Sequence, residues 1–359
     1  MSRLSILIPV YNKEKLIESC LESILSQTLC DIEILCLDDG SADGSLEVVK
    51  KYAEADSRIR VLSHSNVGAG ATRNRGILEA KGKYVAFMDA DDMYPNKDVL
   101  RIMYEKAEAT GSNICGGEWS EIFADGKPIT DFNGEYARYR YEKEGTTQYS
   151  DYQYDYGYHR FIYKRKFLLD NKIMFPSYLR YQDPPFLIKA MMTSQTFYAI
   201  KIPTYLYRKG DSHINWNTER VCDLIKGMIE SLRYANLNNY YHIQYLIYKR
   251  VTYNYKGQIA SILNSPDKSK LIPLLRIVGV LVNYPLIQRK YQLEDENKIF
   301  SMIDGDYFIQ GNGVVAKCKR AYYYYKRNGA KRTIKKYSKS ISGKRRPNSL
   351  KERGIKIGS

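Results

Sequence analysis

The chain is predicted to be an α/β protein: a mostly parallel, Rossmann-like sheet flanked by helices, with a helical C-terminal region and a basic tail. Three observations predict this. Short apolar runs alternate with segments whose apolar residues recur every three or four positions, the pattern of βαβ units. The first four runs each end in a polar cluster. Charge gathers at one end: from Lys317 onward there are sixteen Lys and Arg against one acid, Glu352, while residues 1–316 are close to neutral.

The elements follow in order. Leu4–Val10 is a continuous apolar strand, and Lys13–Gln27 places Leu16, Ile17, Cys20, Leu21, Ile24 and Leu25 on one helical face. Ile32–Leu37 is a second buried strand. Ser41-Ala42-Asp43-Gly44 offers helix caps before Leu46–Tyr52. Ile59–Leu62, Gly70–Ala80 and Tyr84–Met88 continue the alternation, then a helix over Asn96–Ala109 and a strand over Asn113–Trp119. Glu121–Gly157 is polar and Tyr-rich, which suggests an inserted loop or irregular hairpin. Order returns between Phe161 and Ile202, with a helix entered at Pro184. Helices are expected from about Glu219 to Leu263 and from Lys268 to Val282. The expected organisation is a catalytic domain over 1–215 (halves 1–120 and 121–215), a helical region over 216–316, and a tail over 317–359 that need not fold.

Composition narrows the classes. The six cysteines include no CxxC pair, which disfavours a zinc or redox site, and Cys20 and Cys36 read as small core residues. The 34 tyrosines suit wet clefts and interfaces. No signal peptide is evident before Leu4, and the chain is expected in the cytoplasm. The longest apolar run, Leu271–Ile287, is interrupted by Pro273, Arg276 and Pro285 and is too broken for a span, although it suits a membrane surface.

In a parallel sheet, ligands sit beyond the carboxyl ends of the strands. Four clusters fall on that rim: Tyr11-Asn12, Asp38-Asp39-Gly40, His64-Ser65-Asn66 and Asp89-Ala90-Asp91-Asp92. Asp89 and Asp91 are hard oxygen ligands two residues apart, suited to Mn²⁺ or Mg²⁺ bridging a diphosphate. The plain alternative is an acidic turn capping a helix. Asp39 can accept a nucleobase N–H, with Tyr11 over the ring, or can simply shape a turn. Arg73 suits phosphate, or is a surface residue of an exposed helix. Gly68-Ala69-Gly70 follows the third strand rather than the first, and no GxxxxGK[ST] occurs, so nicotinamide and P-loop chemistry are both disfavoured.

Four motifs in order, Ser5–Asn12, Leu37–Ser45, Asn66–Gly76 and Phe87–Asp92, resemble the family 2 glycosyltransferases of the GT-A fold. The resemblance covers about residues 1–120 strongly and 160–215 more loosely. It implies that Pro9, Tyr11 and Asp39 bind the nucleobase, that Arg73 contacts the nucleotide, and that Asp89 meets ribose or metal. Asp91 is then the main ligand of Mn²⁺ or Mg²⁺. It implies inversion by single displacement, with one general base. Asp183 in Tyr181-Gln182-Asp183-Pro184 fits that base; Gln182 stands where many members carry an acid. The simpler reading is a helix cap. In Tyr205–Trp216, which resembles a segment closing over the donor, His213 is displaced from the family's position. A metal, supporting or structural role is open to it, and Arg208 and Lys209 are further candidates for the diphosphate.

The expected activity is a metal-dependent hexosyl or N-acetylhexosaminyl transfer from a nucleotide-sugar, with UDP the expected nucleotide. The acceptor is a saccharide or lipid-linked saccharide in surface polysaccharide assembly. The rivals are a nucleotide-sugar-binding protein without turnover and a metal-dependent nucleotidyltransferase. The tail suggests attachment to an anionic membrane on its inner face; the near-neutral body argues against nucleic acid.

Overall fold

The computed structural model describes residues 2–123, 139–209, 214–293 and 297–303. In chain order the first half runs β1 (Leu4–Val10), α1 (Ile17–Leu25), β2 (Ile32–Asp38), α2 (Ser45–Ala55), β3 (Ile59–Ser63), α3 (Ala69–Glu79), β4 (Tyr84–Phe87), α4 (Val99–Thr110) and β5 (Ile114–Ile122). It continues with β6 (Gly145–Gln148), α5 (Tyr149–Tyr152), β7 (Phe161–Lys164), α6 (Arg165–Asp170), α7 (Asp183–Ser194) and β8 (Thr196–Arg208). The helices α8 (Thr218–Leu237), α9 (Tyr241–Lys249), α10 (Lys256–Leu263), α11 (Lys268–Leu281), α12 (Tyr284–Tyr291) and α13 (Lys298–Ile303) follow. A 3₁₀ turn at Tyr158–Arg160 precedes β7, and a π-helical turn at Arg250–Asn254 follows α9.

One sheet of eight strands, ordered β3-β2-β1-β4-β7-β5-β8-β6, organises the site. The strands β3, β2, β1 and β4 are mutually parallel, β7 is antiparallel between β4 and β5, and β8 is parallel to β5. Every residue of β2 is buried, and only Pro9 of β1 is partly exposed. Helices on both faces require this, and each fully buried Leu, Ile or Val contributes about 1.5–3 kcal/mol. Helix α3 lies close to the sheet at Gly76, where a β-carbon would come within 2.8 Å of Leu37 Cδ1. The mostly parallel sheet expected from the alternating pattern is therefore present, with helices on its faces.

The Tyr-rich segment holds β6 and α5; its residues 124–138 lie outside the described residues. Contacts divide the chain into units 1–295 and 296–359, and in the second only α13 is described. Helices α8 to α12 belong to the same unit as the sheet. Among the described residues no single helix is long and apolar enough to cross a membrane. Helices α11 and α12 pass together by length and composition, but they meet at 64°.

Candidate active site

The loops leaving β1 and β2 interlock. The Asn12 amide donates to Ser41 Oγ at 3.2 Å, Asn12 Oδ1 accepts the Ala42 amide at 2.8 Å, and the Lys13 amide donates to Ser45 Oγ at 2.7 Å. Tyr11 is left 48% exposed at the rim, where its ring is free to cover a planar ligand. Asp39 is buried and faces the loop after β3: its Oδ1 accepts the Val67 amide at 2.7 Å and its Oδ2 the Gly68 amide at 3.0 Å. A carboxylate has about four acceptor sites, so this bracing leaves capacity for a further donor. Gly40 has φ +74°, and a β-carbon there would lie 2.9 Å from the Asn66 amide nitrogen; only glycine suits that turn.

Arg73 is not a surface residue. It is 5% exposed, with its guanidinium 5.2 Å over the Tyr158 ring and 5.4 Å over Phe175. Its Nη2 donates to Asp89 Oδ1 at 2.8 Å, and its Nη1 lies 3.6 Å from Asp183 Oδ1. The small residues beside it serve close packing: a β-carbon on Gly70 would lie 3.0 Å from the Pro176 carbonyl. Burial opposes ionisation of Asp89, but Arg73 prevails and holds its carboxyl below the usual range. Burial also pushes the Asp183 carboxyl up from the usual Asp value, Arg73 only partly countering it. The cap of α7 is Gln182, and it makes no side-chain cap bond. The Asp183 carboxylate, about a third exposed, is thus not spent as the helix cap.

Asp91 is paired with Lys13, whose Nζ donates to Oδ2 at 2.5 Å. The last residues of β8 grip the same loop. Tyr205 O–H donates to Asp92 Oδ2 at 2.6 Å and accepts the Asp89 amide at 3.1 Å. The Arg208 amide donates to Asp92 Oδ1 at 2.7 Å, and its Nε to the Asp91 carbonyl at 2.8 Å. Burial, with Asp89 and Asp91 nearby, pushes the Asp92 carboxyl well up. Lys209 pairs with Glu121 at 2.6 Å. His159, beside Tyr158, is buried with neither ring nitrogen hydrogen-bonded, 4.0 Å centroid to centroid from Tyr205. Burial holds it down to about 3, so it is neutral near pH 7.

The structure thus brings Asp89, Arg73 and Asp183 together, with Asp91 beside them on the same loop as Asp89. Pro9, Tyr11 and Asp39 lie at the ends of the adjoining strands β1 and β2. His213 lies outside the described residues. Lys13, Tyr158, His159 and the Tyr205–Asp92 pair were not singled out as site residues by sequence. Asp92 and Tyr205 stood inside quoted motifs, whereas Tyr158 and His159 sit in a stretch without periodicity.

A sheet carrying two carboxylates after its fourth strand, facing a buried arginine and a third acid, matches a known class. The model of glycosyl transferase family 2 matches residues 5–170. Uncharacterized glycosyltransferase EpsJ of Bacillus subtilis is 31% identical over 214 residues, 58% of this chain and 62% of EpsJ. Among solved structures, S. aureus TarS 1-349 in complex with UDP-GlcNAc aligns at TM-score 0.65 and 18% identity, over 94% of this chain and 92% of that one. Mannosyltransferase PcManGT from Pyrobaculum calidifontis, in complex with GDP-Man and Mn2+, aligns at TM-score 0.50 and 16% identity, over 81% and 88%. Over residues 5–170 the chain is similar to family 2 of the glycosyltransferases, and its sheet has the GT-A fold. The chain spans about three-fifths of the length of the relative EpsJ.

Proposed function

We propose that this chain is an inverting, metal-assisted glycosyltransferase that moves a hexosyl or N-acetylhexosaminyl group from a UDP-sugar to a saccharide or lipid-linked saccharide in surface polysaccharide assembly. The observation that carries the reading is Arg73, buried between Asp89 and Asp183. One guanidinium joins the donor-side carboxylate to an acid whose basicity is raised by burial. Asp183 takes the proton of the acceptor hydroxyl as it attacks the anomeric carbon. Tyr11, Pro9 and Asp39 take the nucleobase, and Arg73 the nucleotide.

Two hard carboxylates fit Mn²⁺ or Mg²⁺, and Asp91 already holds a cationic group, the Lys13 ammonium. Among the described residues no cluster of three metal-ligating side chains forms, so donor phosphates would complete the shell held by Asp91 and Asp89. A bound divalent ion neutralises charge on the leaving diphosphate. The UDP-GlcNAc complex of TarS and the Mn2+ complex of PcManGT support the choice of donor and metal.

The test is a panel of nucleotide-sugars with Mn²⁺, assayed for UDP. Asp183→Asn should lower turnover by a factor on the order of 10²–10⁴ while donor affinity stays within a few-fold. Release of pyrophosphate, or unchanged turnover in Asp183→Asn, refutes the reading.

A second observation favours peripheral attachment to an anionic membrane in the cytoplasm. Helices α11 and α12 carry Lys268, Lys270, Arg276, Arg289 and Lys290 and no acid, and Val280 and Leu237 are each 76% exposed. The α8 and α11 ends that bear them are joined by Asn236 Nδ2 donating to the Leu281 carbonyl at 2.9 Å. The basic tail lies outside the described residues. Flotation with vesicles rich in anionic lipid should fail for the Leu237→Glu, Val280→Glu double variant and weaken on truncation at Lys317. Undiminished flotation of both removes the proposal.

A further inference from the structure

The loop that delivers Asp183 is not held by the sheet alone. Tyr181, two residues before it, has φ +67°, a left-handed conformation that a bulky side chain adopts only when its surroundings impose it. What imposes it comes from the helices after β8. The Tyr181 hydroxyl accepts Arg250 Nη1 at 2.5 Å. Arg250 also engages both oxygens of Asp155, through Nη2 to Oδ1 at 2.7 Å and through Nη1 to Oδ2. Asp155 is fully buried, and the Arg250 guanidinium lies 4.4 Å over the Tyr156 ring. Arg250 opens the π-helical turn, an element that recurs at functional sites.

Helix α8 grips the rest of the loop. Asp223 Oδ2 accepts the Leu179 amide at 3.1 Å, and Tyr178 O–H donates to Glu230 Oε2 at 3.0 Å. Gly227 lies against Tyr181 so closely that a β-carbon there would sit 2.6 Å from the Tyr181 carbonyl oxygen. Each of these grips falls on residues 178–181, immediately before Gln182-Asp183, and Asp183 itself reaches Arg73. A buried ion pair is a poor source of net stability, but it fixes geometry where its partners are fully engaged.

We propose that Arg250, anchored by Asp155, is a positioning residue for Asp183 that acts through the Tyr181 hydroxyl. The helical region thereby sets the aim of the base rather than merely covering the sheet. This rests on the assignment of Asp183 as base.

Tyr181→Phe tests it, because the change deletes one hydroxyl and leaves the Arg250–Asp155 pair intact. The expected result is a fall in kcat on the order of tenfold to a hundredfold, since small misplacements of a reacting group carry costs of that size. UDP affinity and donor KM should stay within about twofold, on the same principle that the base is not used in donor binding. In an Asp183→Asn background the same change should have no further effect on the residual rate. Hydrogen exchange of the Leu179 and Phe186 amides, which are bonded to Asp223 and to the Gln182 carbonyl, should rise, while that of α1 and α4 stays as in the wild type. Arg250→Lys should reproduce the pattern, keeping the charge and losing the paired geometry. Unchanged kcat, a loss that persists in full beside Asp183→Asn, or a parallel weakening of donor binding overturns the proposal. A wild-type chain that turns over no nucleotide-sugar would overturn the transferase reading. Unchanged exchange at Leu179 and Phe186 would overturn the clamp, whatever the turnover.

Discussion

Replacing His159 with Phe should flatten the acid side of the stability curve. The imidazole is buried, neither ring nitrogen is hydrogen-bonded, and burial holds its pKa at about 3 in the folded chain. In the unfolded chain it returns to the ordinary value near 6.5. Between those values the unfolded state binds a proton that the folded state refuses. Its contribution to stability is therefore complete above about pH 6.5 and is lost as pH falls, at roughly 1.4 kcal/mol per unit. From pH 7 to pH 5 this one group removes about 2 kcal/mol. Phe fills the same ring space against Trp119 and Tyr205 and has no proton to take up. Urea denaturation of wild type and His159→Phe at pH 7, 6 and 5 reads the difference directly, because the other titrating groups cancel. The variant should lose about 2 kcal/mol less than the wild type over that range. Parallel losses would refute a neutral buried imidazole.

Three more outcomes follow from the site. Burial raises the Asp183 pKa, so the acid limb of the kcat/KM–pH profile should lie above the ordinary Asp value near 3.9, with rate lost as pH falls through it; a limb at or below that value contradicts the assignment. Lys13→Gln frees Asp91 of its ammonium, and Mn²⁺ binding without donor, followed by electron paramagnetic resonance, should tighten about two- to fivefold for this part-exposed pair; an unchanged constant would mean that Lys13 does not compete. Tyr205→Phe removes the hydroxyl shared by Asp92 and the Asp89 amide and should cost about 1.5–3 kcal/mol in denaturation, whereas a loss under about 0.5 kcal/mol would show that the bridge is dispensable.

The parallel half of the fold is legible because its strands are buried on both faces and read as unbroken apolar runs. Boundaries moved where turns took residues from helix starts: α1 begins at Ile17 rather than Lys13, with a turn ahead of it closed by the Leu16 amide on the Lys13 carbonyl at 2.9 Å. The 3₁₀ turn before β7 was harder to read than the short strand itself. Tyr158 and His159 are large polar-tipped residues packed against other rings, and aromatic clusters carry no period. Arg73 illustrates the opposite limit. Its motif marked it as a phosphate ligand, but nothing in one dimension places its second nitrogen toward Asp183, 110 residues away. Likewise the link from Arg250 to Tyr181 depends on how α8 and the π-helical turn fold back over the loop.

The reversed direction of β7 bears on how this protein can be dissected. The parallel strands β1, β2 and β4 present their ends at the rim, and β7 presents its beginning there, so Tyr158 arrives beside Asp89 from the far half of the chain. A fragment stopping near residue 120 would keep the four motifs that carry the resemblance to family 2. It would lack β7 beside β4, and with it the Tyr158 contact to Asp89, as well as the Tyr205 support from β8. The bared β4 edge would invite pairing with other copies. Recognition by motif and independence as a folding piece therefore part company here, and work on the donor site calls for the sheet whole.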